Sequence, residues 1–273
     1  MIKEIAYAKI NLLLDVEKKR SDGFHDLKMI MIPIELHDAL TFESHQDVVL
    51  ESNIEIENNS IIHAAKLIKD KYNVKDGVKI ILSKSIPIGA GLGGGSADIA
   101  ATIRGLNILW NLNLEDTEME DLALSLGSDT LFCLYNKPAF VYGRGENILY
   151  IELPKIESIY LFPSAINVST KKVFQNHRTK HNPRRFNRLF INYLNEKYDL
   201  FFKKTYNHLL KTTLKCYPEL RKQYKDIKRI DRSAFMTGSG STFYILSFNK
   251  NDEQLREKIL NSGLESIKTK PKA

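Results

Sequence analysis

The chain has few of the residues that build disulfide scaffolds or membrane spans. Its 273 residues include two cysteines, Cys133 and Cys216, too few to frame a disulfide scaffold at this size, so a reduced cytoplasm is the expected location. No apolar run approaches the ~20 residues that a membrane helix needs. The N-terminus carries Lys3 and Glu4 and has no small-residue cleavage site, so no secretory signal is expected. With 43% hydrophobic and 27% charged residues, the composition excludes disordered and fibrous chains and predicts a soluble globular protein.

Charge is distributed unevenly along the chain. Residues 1–150 carry 15 Lys and Arg against 22 Asp and Glu, whereas residues 151–273 carry 25 against 11. The segment 171–188 has seven basic residues and no acidic one. This asymmetry predicts two lobes with a boundary near residue 150, the second of which favours a polyanion. The partner could be a nucleic acid, a nucleotide or a diphosphate. Alternatively, the basic residues form a solvated surface without a partner.

Hydrophobic periodicity predicts a mixture of strands and helices in more than one layer. Alternation predicts strands at 5–16, 28–43 with a bend at Pro33, 45–57, 78–82, 158–163, 234–236 and 242–248. Helical spacing predicts helices at 60–72, 96–110, 115–126, within 188–215 and at 252–261, with Gly127 as the C-terminal cap of the third. There is no internal repeat and no low-complexity linker. The predicted fold class is therefore α+β.

The clearest chemical signal is the glycine-rich loop at 87–98, PIGAGLGGGSAD, between a predicted strand and a predicted helix. Five glycines within 89–95 expose backbone N–H groups, and the helix N-terminus adds partial positive charge, so we expect phosphate binding. The Gly-Lys-Ser/Thr of a Walker A loop is absent. Gly89, Gly91 and Gly94 satisfy G-x-G-x-x-G, but the second strand and acidic residue of a dinucleotide fold do not follow. A flexible turn without a ligand is the remaining alternative.

Seven short motifs occur in order along the chain. They lie at 8–12 (AKINL), 22–25 (DGFH), 91–98 (GLGGGSAD), 126–129 (LGSD), 143–146 (GRGE), 168–170 (VST) and 237–241 (TGSGS). The glycine loop resembles the phosphate loop of the GHMP kinases. Within that superfamily, the whole set is similar to the 4-diphosphocytidyl-2-C-methyl-D-erythritol kinase family. The resemblance is dense from residue 5 to about 150 and sparse from 175 to 232.

The resemblance implies a two-lobed GHMP-kinase fold with mixed sheets and helices. It implies an ATP-binding lobe at 1–150, an α+β lobe at 151–273 and an active site in the cleft between them. The implied reaction moves the γ-phosphoryl group of ATP to the 2-hydroxyl of 4-diphosphocytidyl-2-C-methyl-D-erythritol, in the non-mevalonate isoprenoid pathway. ATP and Mg²⁺ are the implied cofactors, with no nucleic-acid or membrane partner. The residues implied to bind ATP are Pro87, Ile88, Gly89, Ala90, Gly91, Leu92, Gly93, Gly94, Gly95, Ser96 and Ala97.

Lys9, Asn11 and Asp129 match positions that carry the family's chemistry. Without the resemblance, Lys9 would be interpreted as a solvated charge on a strand and Asp129 as a turn carboxylate. By resemblance, Asp129 is the general base, and Lys9 holds its carboxylate ionised and offsets charge near the phosphoryl group. Asn11 is expected to hydrogen-bond the substrate hydroxyls, and Ser96 to lie near the metal.

Aromatic residues are expected to bind the cytidine end of the substrate. The resemblance implies that Phe24 and Phe174 sandwich the cytosine ring and that His25 reads its edge. The family usually has Tyr at the position of Phe24, so stacking is retained but a hydroxyl contact is lost. Gly238 and Ser239 are expected to close on the substrate near the phosphate loop.

Other interpretations remain open at this point. One is another GHMP small-molecule kinase of the homoserine or mevalonate type, and another is a nucleic-acid-binding protein that uses its basic second lobe. At 207–210 the chain has Asn-His-Leu-Leu where the family commonly has Asn-Asp-Leu-Glu, which puts any polar contact there in doubt. His177 and His181, four residues apart, could share a helical face as metal ligands, but no carboxylate is near them in the sequence.

Overall fold

The computed structural model describes residues 1–56, 59–178, 181–248 and 252–272. Its contacts divide the chain into two compact units, each made of separate stretches of sequence. Unit 1 comprises Met1–Lys9, Leu36–Ile88 and Gly93–Asn136, and unit 2 comprises Ile10–Glu35, Gly89–Leu92 and Lys137–Ala273. The two long N-terminal strands and the glycine loop each contribute to both units. Residue 150 lies inside unit 2, and the division into consecutive lobes at 1–150 and 151–273 stays a prediction.

The described residues form ten strands and ten helices, which follow one another along the chain mostly in runs of one kind. The strands are β1 Ile2–Lys19, β2 His25–His45, β3 Val48–Ser52, β4 Gly77–Ser83, β5 Ala139–Gly143, β6 Asn147–Tyr150, β7 Ser158–Phe162, β8 Phe235–Met236, β9 Phe243–Ser247 and β10 Ile267–Thr269. The helices are α1 Ser60–Lys71, α2 Gly94–Leu109, α3 Asp116–Leu126, α4 Thr130–Tyr135, α5 Thr170–Asn176, α6 Pro183–Leu194, α7 Tyr198–Phe202, α8 Leu210–Cys216, α9 Leu220–Ile230 and α10 Asp252–Ser262. The predicted α+β class is confirmed. In the part of the chain that the structure describes, no helix combines the length and apolar character needed to cross a membrane.

Unit 1 packs helices against a mixed set of strands. β4 pairs in parallel with β3 and antiparallel with the second half of β2, from Ala39 opposite Ser83 to His45 opposite Gly77. α1, α3 and α4 pack on α2, which is buried around most of its circumference. This position explains the small residues of α2, since Gly105 lies directly against the ring of Phe42. α2 is thereby fixed as the central helix of the unit, and the glycine loop precedes it.

Unit 2 contains antiparallel strand pairs and most of the short helices. The first half of β2 pairs with β5 from Leu27 opposite Gly143 to Met31 opposite Ala139, and β5 pairs with β6. A second sheet has the order β10-β7-β9-β8, with every pair antiparallel. The central strands β7 and β9 are buried along their whole length, which explains why their sequences are nearly continuous apolar runs.

Several predicted elements differ from the observed ones. The bend predicted at Pro33 is wrong, because β2 runs unbroken through it. Pro33 has no N–H to donate, but its carbonyl accepts a hydrogen bond from the N–H of Lys272. Gly127 does end α3 as predicted, with an extended backbone rather than a left-handed one. The strand predicted at 45–57 is shorter, at Val48–Ser52, and Glu57 lies outside the described residues.

Candidate active site

Lys9 and Asp129 lie together in unit 1. Lys9 is on β1 and only 3% exposed, and its Nζ lies 3.2 Å from Oδ2 of Asp129. Asp129 is the residue before α4, and its carbonyl accepts the Cys133 N–H that begins the helix. Its side chain is 30% exposed, so one face of the carboxylate reaches solvent. The interpretation of Lys9 as a solvated charge is therefore wrong: a buried ammonium is held against a carboxylate that solvent or a substrate can reach.

The second half of the glycine loop lies beside this pair in unit 1. Gly93 caps α2 in the left-handed conformation, with φ at 73° and no side-chain cap for the first helical N–H groups. A Cβ on Gly93 would lie 2.9 Å from Cγ of Lys9, so the stem of Lys9 packs directly on this glycine. A Cβ on Gly127 would lie 3.6 Å from Oγ of Ser96, which places that hydroxyl beside the turn that leads to Asp129. The geometry combines an uncapped helix N-terminus, which favours anions, with a Lys–Asp pair.

The first half of the loop lies in unit 2, against the turn at 237–241. The N–H of Thr242 donates to the carbonyl of Ala90 at 3.1 Å, and the Thr237 hydroxyl donates to the carbonyl of Gly91, also at 3.1 Å. Gly91 has φ at 75°, and a Cβ there would lie 2.6 Å from the Thr237 carbonyl oxygen. The turn therefore packs on backbone that only glycine leaves open.

Asn11 holds this turn in place. Its Oδ1 accepts a hydrogen bond from the N–H of Gly238 at 2.9 Å, and its backbone N–H donates to the Thr237 hydroxyl at 3.3 Å. Its own carbonyl accepts one from the hydroxyl of Tyr244 at 2.7 Å. Ser239 is held as well, with its Oγ 2.8 Å from Oγ1 of Thr170. The amide oxygen of Asn11 is thus engaged with protein, and its predicted contact with substrate hydroxyls stays a prediction.

The residues predicted to bind cytosine make two ring contacts in unit 2. The ring of His25 faces that of Phe174, with centroids 5.3 Å apart and planes 31° apart. The guanidinium of Arg144 covers the ring of Phe24 at 4.0 Å from its centroid. Burial, with a smaller contribution from Lys19, lowers the pKa of His25 and so favours the neutral ring, which has one donor and one acceptor. The role of these side chains in binding cytosine stays a prediction.

The altered segment at 207–210 belongs to a buried polar network. Nδ1 of His208 lies 2.8 Å from Oδ1 of Asp15, and the Tyr206 hydroxyl donates to Oδ2 of Asp15 at 2.7 Å. Burial alone would raise the pKa of Asp15, but hydrogen bonds from His208, Tyr206 and His181 outweigh it and lower that pKa.

The same network brings His181 to two carboxylates that are distant from it in the sequence. Its Nδ1 lies 3.0 Å from Asp15 and its Nε2 lies 3.3 Å from Glu17. Both carboxylates are on β1, more than 160 positions earlier, so proximity in sequence could not reveal them. Within the described ranges, no three His, Cys, Asp or Glu side chains form a group that could hold a metal ion.

Sequence reasoning missed three residues that matter to these arrangements. Thr237 links Asn11 to the glycine loop, Arg144 covers Phe24, and Lys84 lies buried beneath the loop. Thr237 and Arg144 lie inside recognised motifs, so the sequence indicated their importance but not the contacts they make. Lys84 had a signal of its own, because it is a charged residue between an apolar strand and the glycine loop.

Sequence comparison with known proteins places the chain among the GHMP kinases. The family model for the GHMP kinases N terminal domain matches residues 59–144. A 4-diphosphocytidyl-2-C-methyl-D-erythritol kinase of Bacillus subtilis is 41% identical over 251 residues, which cover 89% of this chain and 87% of the relative. One of Thermodesulfovibrio yellowstonii is 37% identical over 260 residues, covering 91% and 90%.

Structural comparison gives the same family as sequence comparison. The crystal structure of a 4-(cytidine 5'-diphospho)-2C-methyl-D-erythritol kinase superposes with a TM-score of 0.77 at 27% identity, covering all of both chains. The resemblance carried by the seven motifs is thereby confirmed, and the chain belongs to the 4-diphosphocytidyl-2-C-methyl-D-erythritol kinase family of GHMP kinases.

Proposed function

We propose that this protein transfers the γ-phosphoryl group of ATP to the 2-hydroxyl of 4-diphosphocytidyl-2-C-methyl-D-erythritol, in the cytoplasm. The observation that carries the proposal is the buried Lys9 ammonium, 3.2 Å from the Asp129 carboxylate and packed against Gly93 at the start of α2. The relatives described above support the proposal, since their names give this substrate.

Asp129 is the general base in this proposal. Its carboxylate accepts the proton of the substrate hydroxyl as that oxygen forms its bond to the γ-phosphorus, and the bond from the γ-phosphorus to the leaving oxygen of ADP breaks. A base so placed contributes roughly 10²–10⁴-fold to the rate. Lys9 holds the carboxylate in place through the 3.2 Å contact and stabilises the negative charge that gathers on the phosphoryl oxygens.

The glycine loop binds the phosphates. The N–H groups at the start of α2 have no side-chain cap, and the helix dipole favours an anion at that end. Mg²⁺ fits the residues present, because a nucleotide-bound Mg²⁺ needs only one or two protein oxygens besides phosphates and water. Ser96 offers such an oxygen beside the turn at Gly127. When bound, the ion would neutralise charge on the β- and γ-phosphates.

His25, Phe174 and Phe24 bind the cytosine end. In support, His25 and Phe174 already face each other, and the neutral ring of His25 offers both a donor and an acceptor to a base edge. Phe24 is 48% exposed and stacked with Arg144, so a flat cationic and aromatic surface is available to a nucleobase. Gly238 and Ser239 approach the substrate from the turn that Asn11 holds.

An ADP-release assay on the purified chain tests the proposal. The acceptors are 4-diphosphocytidyl-2-C-methyl-D-erythritol, mevalonate, homoserine and galactose, and we expect turnover with the first. Asp129→Asn should keep the fold and lower kcat by roughly 10²–10⁴-fold. Asp121→Asn, which removes an exposed carboxylate from α3, is the matched control and should leave kcat unchanged.

The other outcomes are distinct. Turnover with mevalonate, homoserine or galactose alone would assign the chain to another kinase of the superfamily. Undiminished transfer by Asp129→Asn would end the assignment of the base. Salt-sensitive binding of duplex DNA without any nucleotide turnover would favour a nucleic-acid-binding protein instead.

A further inference from the structure

Lys84 is a buried cation held between two buried carboxylates in unit 1. Its Nζ lies 2.5 Å from Oδ2 of Asp38 and 2.7 Å from Oδ2 of Asp98, and all three side chains are 5% exposed or less. Lys84 comes directly after β4, Asp38 is on β2 and Asp98 is on α2. Three elements of the unit therefore meet at one ammonium group.

These three residues connect the two ends of the glycine loop. At the entry, Oδ1 of Asp38 accepts hydrogen bonds from the N–H groups of Ser85 at 2.6 Å and Ile86 at 2.8 Å. At the exit, Asp98 anchors the second turn of α2 to the same ammonium. A Cβ on Gly94 would lie 3.0 Å from Nζ of Lys84, so the ammonium lies directly beneath the helix start.

This arrangement is a costly way to hold a core together. Removing two carboxylates and one ammonium from water is costly, and hydrophobic residues of the same volume are often at least as stable. Oδ1 of Asp98 is buried and has no hydrogen-bond partner among the residues described. A role in stability alone does not explain such a cluster.

We propose that Asp38, Lys84 and Asp98, the loop brace, are positioning residues for the nucleotide phosphates. The brace fixes the distance between Ile86, where the chain enters the loop, and Gly94, where the N–H groups begin to point at the ligand. The inference rests on the proposed function in that the loop binds ATP. A misplacement of about 1 Å in such a site can cost 10²-fold in rate, and one fixed cation tying both ends prevents it.

Lys84→Met tests the brace, with Lys79→Met as the matched control. Lys79 is on the same strand, β4, and pairs with Glu51 at 2.7 Å outside the loop. The measurements are the Kd for ADP by calorimetry, the KM for ATP, the KM for the acceptor, and kcat. We expect Lys84→Met to raise the Kd for ADP and the KM for ATP about tenfold or more, with the KM for the acceptor changed less than about twofold. Lys79→Met should change none of them by more than about twofold.

Asp98→Asn decides the matter should Lys84→Met fail to fold. The amide oxygen of asparagine can still accept from Lys84, so the fold is expected to persist while the second ionic anchor is lost. We expect a threefold to tenfold rise in the Kd for ADP. A folded Lys84→Met or Asp98→Asn protein with the wild-type Kd for ADP would overturn the brace, as would an equal rise in the KM of both substrates.

Failure of the brace and failure of the proposed function are distinguishable. Wild-type protein that binds ADP, loses that binding on Lys84→Met, and phosphorylates none of the acceptors contradicts the proposed function and supports the brace. Wild-type protein that turns over normally while Lys84→Met keeps its affinity for ADP contradicts the brace alone. Wild-type protein that does not bind ADP overturns both.

Discussion

Two glycines of the same loop should respond in opposite ways to an added methyl group. Gly93 has φ at 73°, and its Cβ would lie 2.9 Å from Cγ and 3.1 Å from Cε of Lys9. Gly95 is inside α2, and the nearest atom to its Cβ would be Oγ of Ser60 at 4.0 Å. Gly93→Ala therefore meets both an unfavourable backbone conformation and a buried side chain, whereas Gly95→Ala meets neither.

The left-handed backbone costs an alanine about 1–2 kcal/mol. Displacing the buried stem of Lys9 adds about 1 kcal/mol or more, since crowding a packed site costs typically 1–3 kcal/mol. Alanine inside a helix is instead favoured over glycine by about 0.5–1 kcal/mol. At roughly 2–4 °C per kcal/mol for a chain of this size, Gly93→Ala should melt about 4–12 °C below the wild type, and Gly95→Ala at or above it.

The kinetic consequence of Gly93→Ala follows from the same contact. A shifted stem moves the Lys9 ammonium away from Asp129, and we expect kcat to fall about tenfold or more, which is about 1.4 kcal/mol of barrier. Thermal denaturation and the ADP-release assay measure the two effects on the same preparation. Equal melting temperatures for the two variants, or an unchanged kcat in a destabilised Gly93→Ala, would refute the reasoning.

Three further predictions concern other parts of the molecule. Phe174→Ala should raise the KM for the cytidine substrate about tenfold while leaving the KM for ATP unchanged, because stacking on a base is worth roughly 1–3 kcal/mol; steady-state kinetics with each substrate varied would show an equal change in both if this is wrong. Gly105→Ala should lower the free energy of unfolding by about 1–3 kcal/mol in urea titrations, since its Cβ would lie 2.7 Å from Cδ2 of Phe42, and unchanged stability would contradict that packing. The third prediction concerns Asp252. Burial raises the pKa of its carboxyl, but hydrogen bonds from Lys268, Ser247 and Tyr160 outweigh burial and lower that pKa to about 2. The lowered pKa adds to the free energy of unfolding; this stabilisation is fully present above pH 3.8, the pKa in the unfolded chain, and is lost as the pH falls through about 2. Asp252→Asn should therefore cost less than about 1 kcal/mol at neutral pH, because Lys268 is 44% exposed and solvent screens the pair, and much less at pH 2; a difference that persists undiminished at pH 2 would refute the assignment.

Local sequence patterns were sufficient to predict those parts of the fold that depend on residues close together in the chain. The glycine loop, the helix after it and the apolar strands β7 and β9 follow from spacing and composition alone. The proximity of Lys9 and Asp129 did not follow from any spacing. Their 120-residue separation was bridged only by the order of the seven motifs, which is a property of the family rather than of local chemistry.

Contacts across long separations account for what was missed. Asp15 meets His181 and His208 because β1 lies beside chain that follows some 170–190 positions later, and no helical or strand period encodes that meeting. Lys84 was visible as a charge at the end of an apolar strand, but its two partners lie 46 residues before and 14 residues after it. Buried ionic groups of this kind are set by tertiary packing, which single-sequence reasoning does not reach.

Residues 270–272 hydrogen-bond to β2, a strand that is synthesised more than 200 residues earlier. Lys270 accepts a hydrogen bond from the N–H of Glu35, and Lys272 donates one to Pro33. Residues 10–35 therefore complete their contacts only after residues 270–272 have left the ribosome. A fragment that stops at residue 150 would leave this early segment without the chain it packs on, so we expect such a fragment to aggregate during expression rather than to behave as an independent nucleotide-binding domain.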